Sequence, residues 1–180
     1  MDPLEFYRDV CAPTVDGLGL HKSQEEFRSG MQQTFGAILH ESGGLKYRRQ
    51  VGGGPGLGLG QIEGATLRDF QDNWLAFRPD FLGRIDEFAD IDRTWFDQLA
   101  DNDRLAVALT RMLFFRVPEP LPAADDLLGH AHYWKQHYNT ELGKGTVAKY
   151  IADVRHYAEW LYPERAWEEA ESEIANGATA

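Results

Sequence analysis

Eight of the chain's 18 glycines fall between Ser42 and Gly60, in the stretch ESGGLKYRRQVGGGPGLGLGQ that begins at Glu41. Glycine brings no side chain to a core, and it loses more backbone freedom on ordering than any other residue. A segment so rich in it serves sharp turns, or brings the backbone close to something else. Whatever the chain does is best sought around this loop.

The segment ahead of the loop reads as a helix. Ser23 and Glu26 form S-x-x-E just before an apolar run, the signature of a helix start. Phe27, Met31, Phe35 and Ile38 recur at spacings of four, four and three, which makes one apolar face. Gly43 and Gly44 are placed to stop the helix. At roughly 100° per residue, Glu41 falls at the edge of the apolar face, on the side of Gly30, Thr34 and Ala37. His40 points towards solvent. A carboxylate is thus held on a rigid element, half in the core, beside residues small enough to leave room.

Glu41-Ser42, followed by Gly58-Leu59-Gly60-Gln61-Ile62 and Gly64-Ala65-Thr66, resembles the Glu-Ser and Gly-Leu-Met-Gln motifs of soluble lytic transglycosylases and goose-type lysozymes. The wording ESGGLKYRRQ then GPGLGLGQIE is more similar still to lysozyme-like proteins of tailed phages. The resemblance covers about Ile38 to Thr66. The sequence departs from the pattern at Gly60, where the family usually has methionine, and at Glu63, where it often has an apolar residue. The resemblance implies a lysozyme-like, mainly α fold, with a small hairpin inside residues 45–58 at most. It implies cleavage of the peptidoglycan glycan strand with Glu41 as catalytic acid and base, and no metal or other cofactor. Ser42 would orient the glutamate or hold substrate, and Gly58, Gln61 and Glu63 would lie against the sugar. Tyr138-Asn139 resembles the family's later Ala-Tyr-Asn motif, and Tyr150 or Tyr157 would supply the late cleft tyrosine.

The chemistry fits the setting of Glu41. Breaking a glycosidic bond needs an acid that protonates the leaving oxygen. A carboxyl in a partly apolar pocket is harder to ionise, so it stays available as that acid. In a transglycosylase the muramyl 6-hydroxyl then attacks and one carboxylate suffices. A hydrolase needs a positioned water and usually a second carboxylate, for which Glu63 is the nearest candidate.

The rest of the chain supplies a helical frame of one domain, with residues 1–20 as an N-terminal arm and 163–180 as an acidic tail, a frayed helix or disordered. Leu67, Phe70, Trp74 and Phe77 form a stripe that Pro79 breaks. Leu105 to Phe115 is apolar almost all round, as in a buried central helix. Val117 to Pro122, with three prolines, is an extended, stiff connector or an edge packed on a partner. A helix is expected over Ala123 to Tyr138, and another after Thr146.

Several functions are disfavoured. A net charge of −11 repels nucleic acid, and Lys46, Arg48 and Arg49 are the only local basic cluster, a solvated turn or a contact with acidic groups. No window approaches a transmembrane length. MDPLEFYRDV has no secretory character, which points to synthesis in a host cytoplasm. Cys11 alone excludes an internal disulfide. His130, His132 and His137 do not form a metal motif, and Gly143-Lys144-Gly145-Thr146 lacks the adjacent Gly-Lys-Ser/Thr of a phosphate loop. An anionic lysozyme gains nothing from steering towards an anionic wall. The resemblance implies glycan strands as substrate and, through its likeness to phage proteins, the structural proteins of a phage particle that carries the enzyme to the wall during genome entry. The alternatives are an inactive lysozyme-like adaptor of the particle and a soluble endolysin.

Overall fold

The computed structural model describes residues 1–139 and 145–177, so Gly143 and Lys144 and the last three residues of the tail lie outside it. The chain begins with α1 (Pro3–Phe6), which continues through a π-helical turn, Tyr7–Cys11, into α2 (Ala12–Gly17). Asp2 caps this run, its carboxylate accepting from the Leu4 and Glu5 amides. This N-terminal arm packs on the body: Phe6, Cys11, Val15 and Leu18 are all buried in the core. Burial pushes the Cys11 thiol well above its ordinary range, so it packs as a small hydrophobe.

The next helix, α3 (Gln24–Ser42), is the longest of the described elements. Ser23 Oγ accepts from the Glu26 amide at 3.1 Å, while the Glu26 carboxylate reaches back to the Lys22 amide rather than to Ser23. Gly43 ends the helix in the left-handed conformation, φ 60°, which glycine adopts without a Cβ penalty. The glycine loop that follows is not a sheet. Isolated bridges pair Arg49 with Leu57 and Leu57 with Ile62, so the hairpin is reduced to single contacts. Arg48 fastens the loop to the body, donating from Nε and Nη2 to the two Asp103 carboxylate oxygens at 2.8 and 2.6 Å. It belongs to the scaffold, not to a solvated basic patch.

α4 (Gly64–Asn73), α5 (Pro79–Asp86) and the short α6 (Trp95–Gln98) lead to α7 (Asp103–Phe115), capped by Asn102. Every residue of α7 from Leu105 to Phe114 is buried. It packs on α2, α3 and α5. A fully buried Leu, Met or Phe contributes about 2–3 kcal/mol, so this helix anchors the body. Val117 to Pro122 crosses the surface as a connector. α8 (Leu127–Trp134) starts four residues later than the sequence pattern suggests, because Asp126 supplies its cap by accepting from the Gly129 amide. It runs on as a π-helical turn, Lys135–Asn139. α9 (Val147–Ala158) is capped by Thr146 and packs on α3 and α8. Of the two expectations for the acidic tail the helix holds: it forms α10 (Glu164–Ala175), in which Ala166, Trp167 and Ala170 are buried, and Trp167 Nε1 donates to the Glu159 and Tyr162 carbonyls. The protein is mainly α-helical, with one continuous core.

Candidate active site

Glu41 sits in the last turn of α3, where the helix stops against the glycine loop. Its carboxyl is largely enclosed but reaches a cleft of about 820 Å³. Trp134 Nε1, from α8, donates to Glu41 Oε1 at 2.9 Å. Burial raises the Glu41 pKa from 4.5 to about 7, and the Trp134 hydrogen bond holds it back in part, because it favours the ionised form. At neutral pH the group is thus divided between acid and base.

The Trp134 indole is itself fixed by what surrounds it. It stacks on Tyr150 with ring centres 5.1 Å apart and takes the His40 ring edge-on at 4.5 Å. His40 does not point to solvent: its side chain is 8% exposed, and Nδ1 meets Asp153 Oδ2 at 2.7 Å. Burial lowers the His40 pKa, with the Asp153 carboxylate opposing. Asp153 also pairs with Lys149 Nζ at 2.6 Å. A chain of contacts, Lys149, Asp153, His40, Trp134, therefore backs the glutamate.

The structure distributes the other expected residues unevenly. Gln61 lines the same cleft as Glu41. Its backbone is left-handed, φ 49°, and its amide Nε2 donates to the Gly58 carbonyl at 2.8 Å and the Tyr47 carbonyl at 3.3 Å. Glu63 is exposed on the cleft, at the start of α4. Tyr138 and Asn139 also line it. Tyr138 donates its hydroxyl to the Gly60 carbonyl at 2.6 Å and stacks on Phe114. Burial, and then the nearby Glu41 carboxylate, push its phenol pKa up.

Three assigned contacts are corrected. Ser42 is fully buried: its Oγ donates to the Ile38 carbonyl at 2.6 Å and accepts from the Leu45 amide at 2.8 Å, so it stitches the helix end to the turn and touches no cleft. Gly58 is buried with φ 71°, and a Cβ there would lie 2.7 Å from the Leu99 carbonyl oxygen. It is needed for close backbone packing, not for substrate. Tyr150 is 0% exposed, packed behind Trp134 with its hydroxyl unpartnered. Tyr157 lies over Gly44, whose Cβ would be 2.3 Å from its ring.

Gly60 has an ordinary backbone, but a Cβ there would be 2.2 Å from Thr110 Oγ1 and 2.6 Å from the Tyr138 hydroxyl. The space of a side chain at 60 is taken by Thr110 and Tyr138.

Trp134, His40 and Asp153 carried no sequence signal beyond helical spacing. Arg116, His137 and Lys149 also line the cleft, Arg116 paired with Asp69 at 2.8 Å. Among the described residues no three His, Cys, Asp or Glu side chains are placed to hold a metal ion, and no helix is long and apolar enough to cross a membrane. Comparison with family models, curated proteins and solved structures gave no match.

Proposed function

We propose that the protein cleaves the glycan strand of peptidoglycan, with Glu41 as the single acid and base. The observation that carries this reading is the enclosed Glu41 carboxyl, facing a cleft and held near neutrality by burial. Protonated Glu41 donates to the glycosidic oxygen as the bond breaks. The carboxylate left behind is poorly solvated, so it readily takes a proton from the incoming hydroxyl. If the muramyl 6-hydroxyl attacks, an anhydro sugar forms; if water attacks, the product is a reducing end. Gln61 and Asn139 are positioned to hold sugar hydroxyls, and exposed Glu63 is the carboxylate available for a water. The cations Arg116 and Lys149 give the cleft walls groups that suit the carboxylates of peptide stems. With a net charge of −11 the enzyme gains from being carried to the wall, as a component of a phage particle, so that local concentration replaces electrostatic search.

Mass spectrometry of purified peptidoglycan after digestion tests the reading. Anhydromuramyl products that disappear with Glu41→Gln support transglycosylation, and hydrated products support hydrolysis. An untouched substrate overturns the enzyme reading and leaves an inactive adaptor. Proteomics of purified virions tests delivery.

A further inference from the structure

A second cavity, about 400 Å³, lies apart from the Glu41 cleft, under the connector from Val117 to Pro122. Its buried cation is Arg111, in the middle of α7. The residue is 4% exposed, and its Nε and Nη1 are buried without a hydrogen-bond partner. The Phe115 ring, 5.7 Å from Cζ, compensates it only in part, and an arginine is costly to bury without hydrogen bonds, so this one calls for a partner.

The surroundings are built for the guanidinium. Gly30 on α3 faces it, and a Cβ there would stand 3.0 Å from Nε and 3.3 Å from Cζ. The guanidinium thus lies against bare helix backbone. The connector above is pinned at its end and at its middle: Ser29 Oγ donates to the Pro122 carbonyl at 2.7 Å, and the Tyr133 hydroxyl donates to the Glu119 carbonyl at 2.9 Å. Phe114, Phe115, Val117 and Leu121 make the remaining wall apolar. Burial lowers the Arg111 pKa only to about 10, so it is a cation at neutral pH.

Three carboxylates stand around the cavity, and none of them pairs with Arg111 among the described residues. Glu25 accepts from the Ala124 amide at 3.0 Å and Glu26 from the Lys22 amide at 2.7 Å, while Glu119 belongs to the connector. Their charge disfavours phosphate and other multiply charged anions. One negative charge on an apolar body satisfies both the guanidinium and the walls, and the volume falls within the range of small-molecule sites.

We propose that this pocket binds a small apolar monocarboxylate, its carboxylate paired with Arg111. The inference does not rest on the activity at Glu41. The test is calorimetric titration of the whole protein with hexanoate and benzoate, against 1-hexanol, inorganic phosphate and a short apolar peptide with a free C-terminus. At least one acid is expected to bind with a dissociation constant of about 1 mM or tighter, and to shift the Arg111 Nε–H resonance. Arg111→Met should weaken that binding about tenfold or more. Leu121→Trp, which fills the apolar part and leaves the guanidinium, should weaken it too and serves if the arginine variant does not fold. No binding by either acid, equal binding of the alcohol, tighter binding of phosphate or of the peptide, or an acid that binds without moving the Arg111 resonance would each overturn the proposal.

Discussion

Glutamine at position 41 separates the electrostatics of the site from its shape. Glu41→Gln keeps the volume and still offers an oxygen to Trp134 Nε1, but it never ionises. In the parent the carboxyl pKa is raised from 4.5 in the unfolded chain to about 7 in the fold. Below pH 4.5 both states hold the proton, and this group's favourable contribution is fully present. As the pH rises towards 7 the unfolded chain releases its proton first, and the contribution is lost. Above 7 both states are ionised, and the fold carries the whole cost of a buried carboxylate, about 3 kcal/mol for a pKa displacement of this size. Glutamine avoids that cost. Denaturant unfolding of parent and variant from pH 4 to 8.5 should therefore show a stability difference that favours glutamine increasingly across this window and levels off above pH 7. Other titrating groups largely cancel in the difference. If activity is measured in parallel, the parent should lose rate as the pH rises through about 7 and the variant should have none. A stability difference that stays flat with pH would refute the claim that burial governs this carboxyl.

Trp134→Phe removes the hydrogen bond that, among the described residues, favours ionised Glu41, so the pKa should rise above its parent value and the alkaline limb of the activity profile should move upward. The same change should cost about 1–3 kcal/mol in thermal or denaturant unfolding; an unmoved limb would mean that the indole does not govern the glutamate. Gly58→Ala and Gly52→Ala form a matched pair, since both positions have positive φ, 71° and 84°, but only Gly58 lies against a neighbour. Gly52→Ala should cost about 1 kcal/mol, the price of the backbone conformation alone, and Gly58→Ala clearly more. Equal losses in melting experiments would show that the close approach to Leu99 is unimportant.

Much of the helical frame was legible because its signals are local. Thr146 and Ser23 cap the helices they mark, and the run from Leu105 to Phe114 is as buried as its all-round apolar character demands. Local rules misread the ends. Composition leaves the tail as a frayed helix or disordered, and Trp167 decides for the helix by docking α10 on the body; one large aromatic outweighs a run of solvated glutamates. His40 was placed in solvent by its helical angle, but α9 arrives on that side with Asp153 to receive it. Ser42 adjoins the glutamate in sequence, yet the turn after it claims both its hydrogen bonds. The His40 error concerns a partner 113 residues away, which spacing within one helix does not encode, whereas Ser42 is claimed by the turn three and four residues from it, which helical spacing does not describe either.

The glycines draw the two cavities into one account of the fold. α3 carries Glu41 near its C-terminal end and Gly30 nearer its start, and α7 packs along it. On α7, Thr110 and Arg111 are adjacent, so they point about 100° apart on the helix. Thr110 crowds the space where a side chain at Gly60 would lie, on the loop that bounds the Glu41 cleft, while Arg111 lies against Gly30 in the other cavity. In both places a polar side chain of the central helix meets a glycine whose missing Cβ makes the room. A fold built only for stability would fill these spaces with matched apolar groups and would not bury a lone guanidinium or a carboxyl of raised pKa. Retaining both costs stability, and the cost is intelligible if each cavity is kept open for a ligand, a glycan strand at one and an apolar acid at the other.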